Sequence, residues 1–128
     1  MTAVATVEDT EMEVTHVFAG VAVTDYEAAC GWYERLLGRP PDMLPKKDEA
    51  VWHLSSTGSI YVVADRERAG SGLLTIAVGD LEERLAELAE HEIPSARSDA
   101  REGGPRRVVV NDPDGNTITF FEDPRGDN

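Results

Sequence analysis

Cysteine is nearly absent, because the chain of 128 residues contains Cys30 alone. A single thiol excludes an internal disulfide and cannot by itself hold a metal. Cys30 lies at helical spacing with Tyr26, Tyr33 and Leu37, and no cation stands at its helical neighbours to favour the thiolate. We therefore predict a buried structural thiol and not a nucleophile.

Long apolar runs and positive charge are also scarce. No segment approaches the ~20 apolar residues needed to cross a bilayer, and residues 1–14 carry no basic residue, so we expect no secretory signal. The formal net charge is −13, from 25 acidic and 12 basic residues. Nucleic-acid phosphates and anionic membranes repel such a chain, and cations are attracted to it. The alternative interpretation is that the charge serves solubility alone. We expect a cytoplasmic protein with no nucleic-acid or membrane partner.

Familiar catalytic motifs are missing as well. The sequence has no Gly-x-Ser-x-Gly and no phosphate-binding glycine loop, and its one adjacent glycine pair, 103–104, lies in a predicted loop. His16, His53 and His91 form neither a His-x-x-x-His nor a His-x-Glu spacing. For each histidine we predict a structural or surface role and not metal ligation.

The chain does contain an internal repeat. The segments 21–25 (VAVTD) and 76–80 (IAVGD) are separated by a constant offset (76 − 21 = 55 and 80 − 25 = 55), and each precedes an amphipathic segment. Asp25 and Asp80 suit helix N-caps, because a carboxylate accepts hydrogen bonds from the free amides of the first turn. The length allows one compact domain with one core, so the repeat predicts two paired modules within it.

Hydrophobic periodicity predicts similar elements in both modules. In module 1, about residues 14–64, a strand at 14–24 precedes a helix that ends at Gly38, and strands follow at 50–54 and 59–64. In module 2, about residues 73–124, a strand at 73–78 and a helix from 81 to Ile93-Pro94 precede strands at 106–110 and 117–122. Residues 1–13 are predicted to be an acidic arm, 65–72 a linker and 125–128 a tail. The order of elements indicates an α+β fold with helices on one face of a mixed or antiparallel sheet.

Three segments carry a resemblance to a known family. Residues 18–25 (FAGVAVTD), 31–38 (GWYERLLG) and 111–118 (NDPDGNTI) are similar to two parts of the first module and to the last hairpin of the glyoxalase/bleomycin-resistance/extradiol-dioxygenase group, the vicinal oxygen chelate superfamily. The match covers about residues 14–124. The resemblance implies two βαβββ modules that form a cup-shaped mixed sheet with helices on the outer face. It also implies a homodimer whose sheets enclose the site.

The resemblance also locates the places where metal ligands are expected. In metal-dependent members, His, Gln or Glu occupies one position on the first and one on the last strand of each module. The corresponding residues here are Phe18 and Tyr61 in module 1 and Leu73 and Thr119 in module 2. Phe and Leu offer no lone pair, and Tyr and Thr are poor ligands without carboxylate or imidazole company. We predict no metal and no other cofactor.

Strand alternation then assigns a lining to the predicted cup. If Phe18 faces the cup, residues of the same parity on the other strands face it too. A mostly apolar, partly aromatic lining with a few hydroxyls suits a flat organic ligand, or it fills the cup as core. The candidate ligand-binding residues are Phe18, Gly20, Trp52, Tyr61, Val63, Leu73, Thr75, Thr119 and Phe121.

Arg106 and Arg107 are adjacent arginines in an acidic chain. They could clamp an anionic group on a ligand. More often such a pair places charge along a solvated strand edge. The sequence leaves both interpretations open.

Three functions follow from these patterns, and none assigns a catalytic residue. We favour metal-independent binding of a small organic molecule, for example sequestration of an aromatic or cationic compound such as an antibiotic. The alternative of a divalent-metal-dependent lyase, epimerase or dioxygenase conflicts with the missing ligands, because that chemistry needs a metal to polarise substrate oxygens. The third function is a non-catalytic interaction module with a filled cup.

Overall fold

The structure, a computed structural model, describes residues 12–98 and 106–123. The predicted tail, the glycine pair at 103–104 and most of the predicted acidic arm lie outside the described residues. Module 1 contains β1 (Val17–Val23), α1 (Tyr26–Leu37), β2 (Met43–Lys46), β3 (Glu49–His53) and β4 (Gly58–Ala64). Module 2 contains β5 (Leu73–Val78), α2 (Leu81–Glu90), β6 (Ala96–Ser98), β7 (Arg107–Asn111) and β8 (Thr117–Glu122).

Each module is a βαβββ unit with its own four-stranded mixed sheet. Sheet 1 has the order β1-β4-β3-β2 and sheet 2 the order β5-β8-β7-β6, with β1–β4 and β5–β8 parallel and the other pairs antiparallel. The predicted α+β class is therefore confirmed. The short strands β2 and β6 were not predicted, and β1 begins at Val17 and not at Val14.

Both helices begin where the sequence predicts. The Asp25 carboxylate accepts from the Ala28 amide at 3.1 Å, and the Asp80 carboxylate accepts from the Glu83 amide at 3.1 Å. Gly38 ends α1 in the left-handed region, with φ of 83°, a conformation that glycine adopts without steric cost. Neither helix is long and apolar enough to cross a membrane, as far as the described residues extend.

A shared hydrophobic core packs one face of each sheet against the helices. Helix α1 lies on β4, and α2 lies on β7 and β8. Because side chains alternate along a strand, every second residue points away from this core. We call the outward residues of sheet 1 open face 1; they include Phe18, Gly20, Ala22, Ser59, Tyr61 and Val63. Open face 2 includes Leu73, Thr75, Arg107, Thr117, Thr119 and Phe121.

The turn between β7 and β8 connects the two modules. Its Asp112 and Asn116 are buried. The Tyr33 hydroxyl of module 1 donates to Asp112 Oδ2 at 2.8 Å. Asn116 Nδ2 donates to the Ala22 carbonyl at 2.9 Å, and Asn116 Oδ1 accepts from the Gly72 amide at 2.6 Å. The segment that resembles the family hairpin therefore has a structural task, since it satisfies buried polar groups of both modules.

Candidate ligand-binding site

The four expected metal-ligand positions occupy equivalent places in the two sheets. In the parallel pair β1–β4, Phe18 pairs with Ser59, and Tyr61 lies two residues beyond that partner. In β5–β8, Thr119 likewise lies two residues beyond the partner of Leu73. The register of each sheet thus agrees with the internal repeat. It puts Tyr61 at the position of module 1 that corresponds to Thr119 in module 2.

Eight of the nine candidate ligand-binding residues lie on the open faces, and Trp52 does not. Trp52 pairs with Ile60 on the core side of sheet 1, is 0% exposed, and donates from Nε1 to the Arg39 carbonyl at 2.9 Å. Its ring lies 6.2 Å from that of Tyr33 in α1. The prediction for Trp52 is wrong, because its parity places it under the helix and not in the cup.

The eight remaining residues form two groups, one on each sheet. Gly20, Tyr61 and Val63 line a depression of about 230 Å³ on open face 1. Thr75, Thr119 and Phe121 line another of about 240 Å³ on open face 2, together with Arg107. Phe18 and Leu73 lie on the same two faces and are 53% and 86% exposed. These residues therefore form two groups of four, one on each open face, which we call the half-sites of the predicted cup.

On open face 1, the ring of Tyr61 lies over Gly20. A Cβ atom placed on Gly20 would come within 2.5 Å of Tyr61 Cζ and 2.6 Å of its hydroxyl. The two residues pair directly across β1 and β4, and β1 is an edge strand. An aromatic ring that covers a cross-strand glycine replaces the packing which the glycine lacks.

Two histidines and a serine meet beside Phe18, and the sequence did not predict this cluster. Ser59 Oγ lies 2.7 Å from His16 Nε2 and 2.7 Å from His53 Nδ1. A hydroxyl carries one proton, so Ser59 donates to one imidazole and accepts from the other. Ser59 is 3% exposed, and the rings of His16 and Phe18 lie 4.7 Å apart above it. The pairing of His53 with Ser59 in β3–β4 is the signal that could have found the cluster.

Arg106 and Arg107 point to opposite sides of sheet 2. Arg106 donates to Glu82 Oε2 at 2.8 Å and to Glu122 Oε1 at 3.0 Å. The Arg107 side chain is exposed on open face 2, and its guanidinium has neither a hydrogen bond nor an ion pair in the described part of the chain. The interpretation that the two arginines place charge along a strand edge is wrong, because β7 is an inner strand between β6 and β8.

Titratable groups outside the open faces have shifted pKa values with structural causes. Hydrogen bonds from Arg106 and Arg97 lower the pKa of Glu82. Burial raises the pKa of Tyr33 above its usual range, and the adjacent Asp112 raises it further. Burial also raises the pKa of Cys30, although a hydrogen bond with Tyr26 opposes that effect. The Cys30 thiol is half-buried and not fully buried as predicted, and its raised pKa leaves little thiolate at neutral pH.

The match to known families decides the class of the protein. Residues 13–120 fit the model of the Glyoxalase/Bleomycin resistance protein/Dioxygenase superfamily. The chain belongs to this superfamily. The βαβββ modules and the equivalent open faces are those that the resemblance implied.

Solved structures of the superfamily extend the comparison. A glyoxalase/bleomycin resistance protein from Catenulispora acidiphila DSM 44928 is 40% identical, with a TM-score of 0.80 over 85% of this chain and 98% of that one. Lactoylglutathione lyase from Agrobacterium tumefaciens shares the fold at 16% identity, with a TM-score of 0.72 over 90% of this chain and 98% of its own. TnmS3, an antibiotic-binding protein from Streptomyces sp. CB03234, shares it at 24% identity, with a TM-score of 0.68 over 88% and 98%. No curated protein sequence matches significantly. Membership in the superfamily does not choose between catalysis and binding.

The four superfamily ligand positions do not fit a divalent-metal centre. Phe18 and Leu73 have no donor atom, and Tyr61 and Thr119 supply only a phenol and a hydroxyl. Among residues 12–98 and 106–123, no three His, Cys, Asp or Glu side chains come together in a way that could hold an ion. The four positions therefore supply no imidazole, carboxylate or thiolate donor.

Proposed function

We propose that this protein binds a small organic compound without a metal ion and performs no chemistry on it. One observation carries the proposal: apolar or hydroxyl side chains occupy all four positions where metal-dependent members of the superfamily have ligands. These positions lie at equivalent places on two open sheet faces, so the frame of the site is kept while its metal donors are replaced.

Aromatic side chains support a flat, partly aromatic ligand. Phe18 and Tyr61 on open face 1 and Phe121 on open face 2 offer ring surface, and Thr75 and Thr119 offer hydroxyls beside it. Aromatic surface with a few polar groups is typical of small-molecule sites. Sequestration of an antibiotic is one form of this activity. The net charge of −13 favours ligands that also carry a cationic group.

A homodimer would bring the two half-sites into complete cups. Phe18 is 53% exposed and Leu73 is 86% exposed, although both are large apolar residues at the expected site. A second copy that laid its open face 2 against open face 1 would remove this apolar surface from water. We expect light scattering during size-exclusion chromatography to give about 28 kDa, twice the chain mass of 14.0 kDa. A species of single-chain mass at micromolar concentration would contradict the dimer.

A second candidate function is nucleophilic catalysis, which the cluster of His16, Ser59 and His53 favours. An imidazole within hydrogen-bond reach can act as the base that activates a serine hydroxyl. Ser59 is 3% exposed, however, so a substrate would reach Oγ only after a neighbouring side chain moved aside. Binding without chemistry is therefore better supported.

Metal analysis combined with ligand titration tests the proposal. The protein is purified without a histidine tag or chelator, its metal content is measured by plasma mass spectrometry, and aromatic compounds are titrated by calorimetry. We expect far less than one ion per chain together with saturable binding of at least one aromatic compound. Stoichiometric zinc, manganese, iron or nickel would overturn the metal-independent function. The absence of both metal and ligand binding would favour an interaction module with a filled cup.

A further inference from the structure

We infer that the ligand carries a carboxylate and that Arg107 binds it on open face 2. This inference rests on the proposed function and specifies its ligand. The site is the depression of about 240 Å³ lined by Thr75, Arg107, Thr119 and Phe121, which we call the Arg107 depression.

The hydrogen bonding of the arginines distinguishes Arg107 from the others. Six of the eight arginines within the described residues form an ion pair with a carboxylate or donate to a backbone carbonyl, and these are Arg35, Arg39, Arg68, Arg84, Arg97 and Arg106. Arg66 and Arg107 do neither within the same residues. Arg66 lies in the exposed turn after β4, whereas Arg107 lies on the face expected to bind ligand. In a chain with 25 acidic residues, a guanidinium that none of the described carboxylates pairs with is available to an external anion.

The groups around Arg107 suit a carboxylate. A guanidinium presents its N–H groups as a planar fork that matches the two oxygens of a carboxylate. Thr75 and Thr119 pair directly across β5 and β8, and neither hydroxyl makes a hydrogen bond within the described residues. Each hydroxyl can therefore donate to the same anion. Phe121, the cross-strand neighbour of Arg107, supplies an apolar wall for a ring attached to the carboxylate.

The size of the depression limits what it can hold. Sites for drug-sized ligands usually measure ~300–1,000 Å³, and the Arg107 depression is smaller, at about 240 Å³. It accommodates a one-ring acid, or the acidic end of a larger compound whose remainder extends over the neighbouring surface. The net charge of −13 opposes binding of anions in general, so affinity for an acid must come from local contacts.

Matched pairs of acids and amides test the inference. Benzoate, 2-naphthoate and biphenyl-4-carboxylate are titrated by calorimetry alongside their primary amides, into the wild type and into R107Q and R66Q. The two variants remove the same charge from exposed arginines that have no ion pair among the described residues, but only R107Q lies in the depression. Amide chemical shifts verify that each variant is folded and show which residues respond to the ligand.

We expect at least one acid to bind the wild type about tenfold more tightly than its amide, since a charge-assisted pair is lost in the amide. R107Q should abolish the preference and R66Q should keep it, with shifts centred on Thr75, Thr119 and Phe121. Equal affinities of acid and amide for the wild type would overturn the inference and leave the proposed function intact. An equal loss in both variants would overturn it too, because long-range charge would then explain the preference. If no acid and no amide binds, both the inference and the proposed function are contradicted.

Discussion

On open face 1, Ser59 and two histidines bind one another, whereas on open face 2 Thr75, Thr119 and Arg107 have no side-chain hydrogen bond among the described residues. Ser59 bridges His16 and His53 at 2.7 Å on each side, and the ring of Tyr61 covers Gly20. At the equivalent places of sheet 2, the hydroxyls of Thr75 and Thr119 make no hydrogen bond within the described residues, and Arg107 has no ion pair there. The two modules have the same strand register, but they differ in which polar side chains have hydrogen-bond partners.

This difference separates stability from recognition. A buried polar group that is already hydrogen-bonded contributes to folding and has little left to offer a ligand. Free donors on an exposed face contribute little to folding and keep their hydrogen bonds for a ligand. We therefore expect substitutions on open face 1 to change stability and substitutions on open face 2 to change binding.

The largest effect is expected at the turn that joins the two modules. Both open faces depend on this turn, because it holds one module against the other. N116A removes a buried side chain that bonds Ala22, Gly70, Gly72 and Asp112. Leaving several of these groups without a partner should cost about 2–4 kcal/mol in the free energy of unfolding, measured with urea. N111A is the matched control, since Asn111 is exposed and its side chain, as far as the described residues show, bonds only Thr117, at 3.1 Å. Equal losses in the two variants would show that the turn does not join the modules.

A serine and a threonine on the two open faces test the comparison itself. S59A leaves two imidazoles without their shared hydroxyl and should cost about 1–2 kcal/mol. T75V, an isosteric change to a free hydroxyl, should change stability by no more than about 0.5 kcal/mol. Urea unfolding measures both. A loss in T75V as large as that in S59A would mean that open face 2 is satisfied in the same way as open face 1.

A smaller effect is expected at Gly20, where the neighbouring ring must move. A Cβ in G20A would come within 2.5 Å of Tyr61 Cζ, and the tyrosine can relieve this by swinging away from β1. We expect a destabilisation below about 1 kcal/mol and a clear change in the Tyr61 ring resonances. The control G31A adds a methyl group in α1 with no atom within 4 Å, so it should leave those resonances unchanged. Unchanged Tyr61 resonances in G20A would contradict the described position of the ring.

The smallest effect concerns stability at acidic pH. A carboxylate in the first turn of α2 should contribute to it, whereas its counterpart in α1 should not. Hydrogen bonds from Arg106 and Arg97 lower the pKa of Glu82, so its carboxylate binds protons more weakly in the folded than in the unfolded state. This stabilisation is complete above the ordinary Glu pKa of about 4.3 and is lost as the pH falls through the lowered folded pKa. E82Q should therefore lower Tm slightly at pH 7, and the difference from the wild type should shrink below about pH 4. E27Q changes the equivalent residue of module 1 (27 + 55 = 82), which has no ion pair within the described residues, so its Tm should not follow this pattern.

Much of the fold could be predicted, because the repeat and the periodicity are local in sequence. Both helices, their N-caps and the parity of β1, β5 and β8 agree with the prediction, but α2 ends at Glu90 and not at Ile93-Pro94. Strand β2 contains Pro45 and is exposed throughout, and β6 has only three residues, so neither shows an alternating pattern. Trp52 was misplaced because Ala50 and Val51 are buried along with it, and such a run does not reveal which face is which.

Part of the polar site could not be predicted, because it depends on pairing between strands that are distant in the sequence. His16 and Ser59 are 43 residues apart and meet only through the register of β1 with β4. The separate roles of Arg106 and Arg107 depend on where β7 begins, since a shift of one residue exchanges their faces. Glu122, in contrast, lies three residues beyond Thr119, so alternation within β8 alone puts it on the other face of sheet 2, where Arg106 donates to it.

Titration of the aromatic acids before and after exhaustive chelation tests the central claim most directly. The protein is dialysed against a strong chelator, its metal content is verified, and the acid that binds best is titrated again by calorimetry. The metal-independent account predicts the same affinity and stoichiometry in both titrations, with the preference for the acid still dependent on Arg107. Loss of binding on chelation, with recovery after addition of a divalent transition metal, would contradict it.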